Sequence, residues 1–182
     1  MTRYEELCDA CMKREPQALA IDRIYRDLPL RLRQAISDYL GAPAGSAMFP
    51  EGAMKTPTAY VDFYRRGIDV VSGKQRTERC ERDECLVLDS DKIPYFTLGI
   101  WVERAPHSMQ GWWLFLKISI ESANEESADI TIENQPGRIT INLRDADGYA
   151  AVAATIIDRL IECMKQAGEG RGPYGSIGFL RE

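Results

Sequence analysis

The chain has 182 residues, 45% hydrophobic and 28% charged, with a formal net charge of −5 at pH 7. That is the composition of a globular chain long enough for one sizeable core. The acidic balance argues against a broad nucleic-acid surface, which needs clustered Lys and Arg. No apolar run approaches the ~20 residues that span a bilayer, the longest being GWWLFL, and no apolar h-region of a signal peptide opens the chain. The expectation is a single cytoplasmic domain over residues 1–182, without membrane contact.

Residues 1–40 read as helical. Thr2 stands three residues before Glu5, the spacing of a capping box. Leu7, Cys8 and Cys11 supply a weak apolar stripe. Pro16 restarts the chain, and Leu19, Ile21, Ile24, Tyr25 and Leu28 follow at mostly helical spacing. Pro29 predicts a second break or kink. Leu32, Ile36, Tyr39 and Leu40 form a further stripe that Gly41 ends. Residues 41–58 are rich in Gly and Pro and read as a loop. Thr56, Pro57 and Gly67 then spell a short helix, with a strand near residues 68–72. The charged run KQRTERCERDE reads as a short solvated helix or a charged edge.

From residue 84 the pattern changes to period two. ECLVLDS, PYFTLGIWVER, WWLFLKISIE, ADITIEN and RITINLRD alternate as strands joined by short links. QPGR places Pro and Gly as a type II turn requires. Residues 59–145 therefore read as mainly antiparallel sheet. The last helix spans about 146–167, capped by Asp145 or Asp147, with Tyr149, Val152, Ala153, Ile156, Leu160, Cys163 and Met164 on one face. Residues 168–182 form a Gly-rich tail whose apolar end, YGSIGFL, could dock on the sheet or on a neighbouring subunit.

The order gives an α+β domain: N-terminal helices, an antiparallel meander of about five to six strands, and a long amphipathic helix on one sheet face. In architecture alone it is similar to helix-grip folds, which wrap a curved sheet around such a helix.

The two long strands carry apolar residues on both faces. Phe96, Leu98, Ile100 and Val102, with Trp112, Leu114, Leu116, Ile118 and Ile120, form an uninterrupted apolar set that must face the core. The opposite set holds Tyr95, Thr97, Gly99, Trp101 and Glu103, facing Trp113, Phe115, Lys117 and Ser119. The simplest register sets Trp101 opposite Phe115 and Glu103 opposite Trp113. Three covers suit this aromatic face: the N-terminal helices, a protein partner or second copy, or a small ligand in a cavity. Gly99 inside a strand marks a bend or a close approach. Thr131, Glu133, Thr140, Asn142 and Arg144 continue the face as polar outer strands.

Catalytic chemistry finds little support. Cys8, Cys11, Cys80 and Cys85 could supply four thiolates. However, the first pair lies inside a predicted helix, and the second is spaced more widely than a zinc knuckle. No metal or cofactor is expected. The single histidine, His107, lies in the loop RAPHSMQG, and no Gly-x-Ser-x-Gly elbow supplies a nucleophile. Glu103, Glu121 and Glu133 are acid–base candidates by position only. The reading is a non-catalytic binding protein that presents Tyr95, Trp101, Trp113 and Phe115, oriented by Glu103 and Arg104, to a protein partner or to itself as a homodimer. The alternative is a small-molecule binder or enzyme with a helix-grip-like cavity.

Overall fold

A computed structural model of the chain describes residues 2–41, 46–47, 58–68, 75–103, 111–133, 135–168 and 178–180. In chain order these form α1 (Arg3–Tyr39), β1 (Ser46–Ala47), β2 (Thr58–Ala59), β3 (Val61–Ile68), β4 (Gln75–Arg79), a 3-10 turn (Arg82–Glu84), β5 (Val87–Leu88), β6 (Pro94–Glu103), β7 (Gly111–Ala123), β8 (Ser127–Ile132), β9 (Arg138–Asn142), α2 (Ala146–Gly168) and β10 (Gly178–Leu180). The fold is α+β with an open antiparallel sheet. Its strand order is β4-β3-β6-β7-β8-β9, with β5 paired to β6 and β10 to β7, while β1 and β2 pair with each other in a separate two-stranded sheet.

The N-terminal helix forms as its capping box predicts. Thr2 Oγ1 accepts from the Glu5 N–H at 3.3 Å, and the Glu5 carboxylate accepts from the Thr2 N–H at 2.6 Å. The expected breaks at Pro16 and Pro29 do not occur, and α1 runs unbroken for 37 residues. An interior proline removes one backbone bond and costs about 3 kcal/mol. Around Pro29 that loss is offset by burial: Leu28, Leu32 and Ile36 are 1%, 0% and 0% exposed. The expected helix at Thr56–Gly67 is also absent. Residues 61–68 form strand β3 instead, because Val61 and Phe63 alternate into the core while Asp62 and Tyr64 face the other way. Of the strand expected near 68–72, only Ile68 lies within the described residues.

Most of the charged run forms an edge strand, β4, and its end Arg82–Glu84 a single 3-10 turn. Among the described strands β4 pairs only with β3, through Tyr64↔Arg79 to Ile68↔Gln75, and a charged edge strand resists pairing with other chains. The meander from β6 to β9 follows the alternation closely. Gly137 before β9 takes φ +86°, the positive φ that the third residue of a type II turn requires. Asn124 turns β7 into β8 by accepting from the Glu126 and Ser127 N–H groups. Asp145 caps α2 by accepting from the Asp147 N–H at 3.0 Å. The tail returns to the sheet as β10, with Gly178↔Phe115, Phe179↔Leu114 and Leu180↔Trp113 in register.

Both helices lie on one face of the sheet. Leu28, Leu32 and Ile36 of α1 and Val152, Ala153, Ile156 and Leu160 of α2 share a single core with Phe63, Phe96, Leu98, Leu116, Ile118, Ile130 and Ile141. The expectation that the N-terminal helices might cover the aromatic face is therefore corrected. The stripe at 28, 32 and 36 is apolar enough to join the main core, so α1 packs beside α2. Tyr39 Oη reaches Asp158 at 3.4 Å across that helix pair, and Arg31 lies 5.8 Å over the Tyr149 ring.

Leu32→Ala should cost about 2–5 kcal/mol of stability, because the cavity opens where two helices and the sheet meet. Leu19→Ala, at a residue 56% exposed, should change it by no more than about 0.5 kcal/mol. Urea unfolding followed by circular dichroism measures both.

Candidate functional site

The face turned away from the helices carries its own apolar centre. Tyr64 of β3 and Trp113 and Phe115 of β7 are 3%, 6% and 7% exposed in the single chain, with Trp101 of β6 partly buried against them. Ring centroids of Trp113 lie 5.1 Å from Tyr64, 5.4 Å from Trp101 and 6.3 Å from Phe115, and Tyr64 meets Phe115 edge-on at 5.0 Å. Such tilted and offset contacts suit the ring quadrupoles.

The strand register explains the grouping. Trp101 pairs with Trp113, Gly99 with Phe115 and Glu103 with Gly111. This is two residues from the simplest hairpin register, so the face assignment survives while the partners change. Trp113 and Phe115 are neighbours along one face of β7, and Tyr64 arrives from β3 over Gly99. A Cβ at Gly99 would sit 2.5 Å from Tyr64 Cε2 and 3.2 Å from Phe115 Cε1. The missing side chain is what lets the Tyr64 ring approach β6 this closely.

The aromatic group has a polar border. Thr97 is 1% exposed, and its Oγ1 has no hydrogen-bond partner among the described residues. Asp62 is 4% exposed. Its carboxylate accepts from Arg79 Nε at 2.6 Å and from the Phe63 N–H at 2.9 Å, and Arg33 Nη1 stands 3.7 Å away. A buried carboxylate held by two guanidinium groups serves as an anchor for the β3 edge, not as a free base. Tyr95 lies further along β6, opposite Ser119, with Lys117 Nζ 4.5 Å over its ring. On the outer strands the face is solvated. Thr131 Oγ1 donates to Glu121 at 2.8 Å, and Arg66 meets Glu133 at 2.9 Å. Asp129 accepts from Thr140 and Ser122, whose hydroxyls hold its carboxyl below the ordinary range, with Arg138 adding to the effect.

The structure thus brings Trp101, Trp113 and Phe115 together and sets Tyr95 with Lys117 instead. Glu103 ends β6 opposite Gly111; its side chain, with Arg104 and His107, lies outside the described residues. Sequence reasoning missed Tyr64 and Asp62, because residues 56–67 read as a helix. The alternation Val61, Asp62, Phe63, Tyr64 was the signal that could have placed them.

The four described cysteines fall into two separate settings. Cys8 and Cys11 sit in the first turns of α1, whereas Cys85 is buried in the main core with Cys80 packed against it. Among the described residues no group of three or more His, Cys, Asp or Glu is placed to hold a metal ion. Burial pushes the Cys85 thiol up to about 11, with Cys80 adding to the effect, and burial likewise raises Cys80 to about 11. Two clefts flank α1. One, of about 270 Å³, is lined by Asp22, Tyr25, Arg26, Arg82, Asp83 and Cys85; the other, of about 400 Å³, opens between Arg31, Asp38, Tyr39 and Tyr149. In the first, Asp22 is paired with Arg26 at 3.0 Å. Comparison with protein-family models, curated proteins and solved structures gave no match for this chain.

Gly99→Ala should cost about 1–3 kcal/mol, as overpacking does, and should cost clearly less in a Tyr64→Ala background. A double-mutant cycle by chemical denaturation reads the coupling. The raised thiols set a pH dependence. Folding favours the neutral thiol, so this contribution is intact below the ordinary value of 9.0 and is lost as pH rises towards about 11. Stability should fall across that window, and the fall should be shallower in Cys85→Ala when urea midpoints are compared at each pH.

Proposed function

We propose that this chain acts by binding rather than by catalysis, through the aromatic face of its sheet, with a protein partner or a second copy as the ligand. The observation that carries this reading is the position of Trp101. It is the partly buried member of the group and rests on Trp113, Tyr64 and Phe115, which are almost fully buried. A tryptophan backed by a packed floor is ordered before the partner arrives, which reduces the entropy lost on binding. Tyr95 under Lys117 adds a second amphipathic contact on the same face. In this reading Glu103 and Arg104 orient a polar group at the rim.

A small ligand of mixed polarity is the second reading, favoured by one observation. The Thr97 hydroxyl is buried on the aromatic face and makes no hydrogen bond among the described residues. A ligand acceptor reaching it would remove the penalty of an unmade bond.

Trp101→Ala and Trp113→Ala separate binding from folding. Loss of Trp113, a floor residue, should cost about 3–5 kcal/mol of stability; loss of Trp101 should cost less and should abolish association. Acrylamide quenching alongside light scattering provides the readout. Quenching of Trp101 in the monomer that disappears in the complex supports the reading. Tryptophan fluorescence that acrylamide never reaches, with no change between wild type and Trp101→Ala, refutes it.

A further inference from the structure

The cleft between α1 and α2 is charged at both ends and apolar between them. Its volume is about 400 Å³, within the range of small-ligand sites. Arg31, Ala35, Asp38 and Tyr39 of α1 form one wall at helical spacing, and Tyr149 and Ala150 of α2 form the other. Alanine at 35 and 150 leaves a gap that larger side chains would fill. At one end the Arg31 guanidinium lies 5.8 Å over the Tyr149 ring. Among the described residues it pairs with no carboxylate, because Asp27, one turn earlier, meets Arg82 at 3.6 Å. Burial raises the Tyr149 hydroxyl above its ordinary range, so Tyr149 offers a neutral ring and no counter-charge. The other end is anionic. Asp38 accepts from Gln34 Nε2 at 2.7 Å, and Asp158, joined to Tyr39 Oη at 3.4 Å, adds a second negative charge on that side.

We propose that this cleft binds a small zwitterion, a dipeptide with an apolar side chain, its carboxylate on Arg31 and its ammonium on Asp38. Charge sets the orientation. The guanidinium presents a planar fork that a carboxylate matches with two hydrogen bonds, and Asp38 accepts from an ammonium. Length sets the class. Arg31 and Asp38 stand seven residues apart in α1, about 10 Å along a helix axis. A free amino acid carries both charges on one carbon and reaches one end only. Two residues of extended chain span about 7 Å, and a charged hydrogen bond of about 2.8 Å at each end completes the distance. The apolar side chain then rests between Ala35, Tyr39 and Ala150. This cleft lies on the helix side of the sheet and is separate from the aromatic face.

Isothermal titration calorimetry of the full chain with alanyl-phenylalanine tests the site. One saturable site per chain is expected. Free phenylalanine, and the dipeptide amide that lacks the carboxylate charge, should each bind about tenfold or more weakly. Arg31→Gln and Asp38→Asn should weaken the dipeptide to a similar extent while leaving the thermal melt in place, since both side chains are exposed. The amide probe reports on the same contact in the unaltered chain. Ala150→Phe, also at an exposed position, should fill the cleft and abolish binding. Trp101→Ala should keep dipeptide binding in full, even where it abolishes association through the aromatic face. No saturable binding, equal binding of the amide, equal binding by Arg31→Gln, or binding lost in a folded Trp101→Ala would each overturn the proposal.

Discussion

Everything in this molecule follows from burying one face of the sheet under two helices at once. The alternate residues of β6 and β7 that face the core are apolar without interruption, and α1 and α2 lie side by side over them. Apolar area removed from water is the dominant favourable term in folding. That burial explains why α1 continues through Pro29, why β3 is a strand, and why neither α1 nor α2 lies over the reverse face. Among the described residues the reverse face packs rings against rings.

The two faces obey different physics. The helix side is mainly aliphatic, with leucine, isoleucine and valine meshing around Phe63 and Phe96 across the layers. The reverse side is aromatic at one end and ionic at the other, and the change occurs along β7 itself, between Phe115 and Lys117. Gly99 is the pivot of the aromatic end, because removing one side chain from β6 lets Tyr64 from β3 touch Phe115 from β7. Asp62, beside Tyr64 on the same strand, is fixed by Arg79 and Arg33 and ties that strand to both β4 and α1. The aromatic group and the ion pairs thus brace the same edge.

Much of the fold was legible in the sequence where period and punctuation agreed. The capping box at Thr2 and Glu5, the alternation from Pro94 to Asn142, the turn at Pro136 and Gly137 and the cap at Asp145 all have local causes, and all appear where the residues put them. The failures came where tertiary packing overrode a local signal. Pro16 and Pro29 are breakers by backbone chemistry, yet α1 absorbs them. Thr56, Pro57 and Gly67 have the right types for helix ends, but the core wanted Val61 and Phe63. The site was legible in part. Parity alone grouped Trp101, Trp113 and Phe115, since a register error of two residues preserves the face. Tyr64 was hidden because its neighbourhood depends on a strand pairing between β3 and β6, which no local window contains.

The pairing of residues 178–180 with residues 113–115 has a consequence for how the chain is made. β6 is available as a neighbour as soon as the first long hairpin closes, but the other flank of β7 at Trp113 waits until α2 has been synthesised. During that interval a stretch of backbone next to two tryptophans has open amide and carbonyl groups. The final strand therefore acts as a late seal, and the nascent protein must keep that flank from other strands until its own arrives.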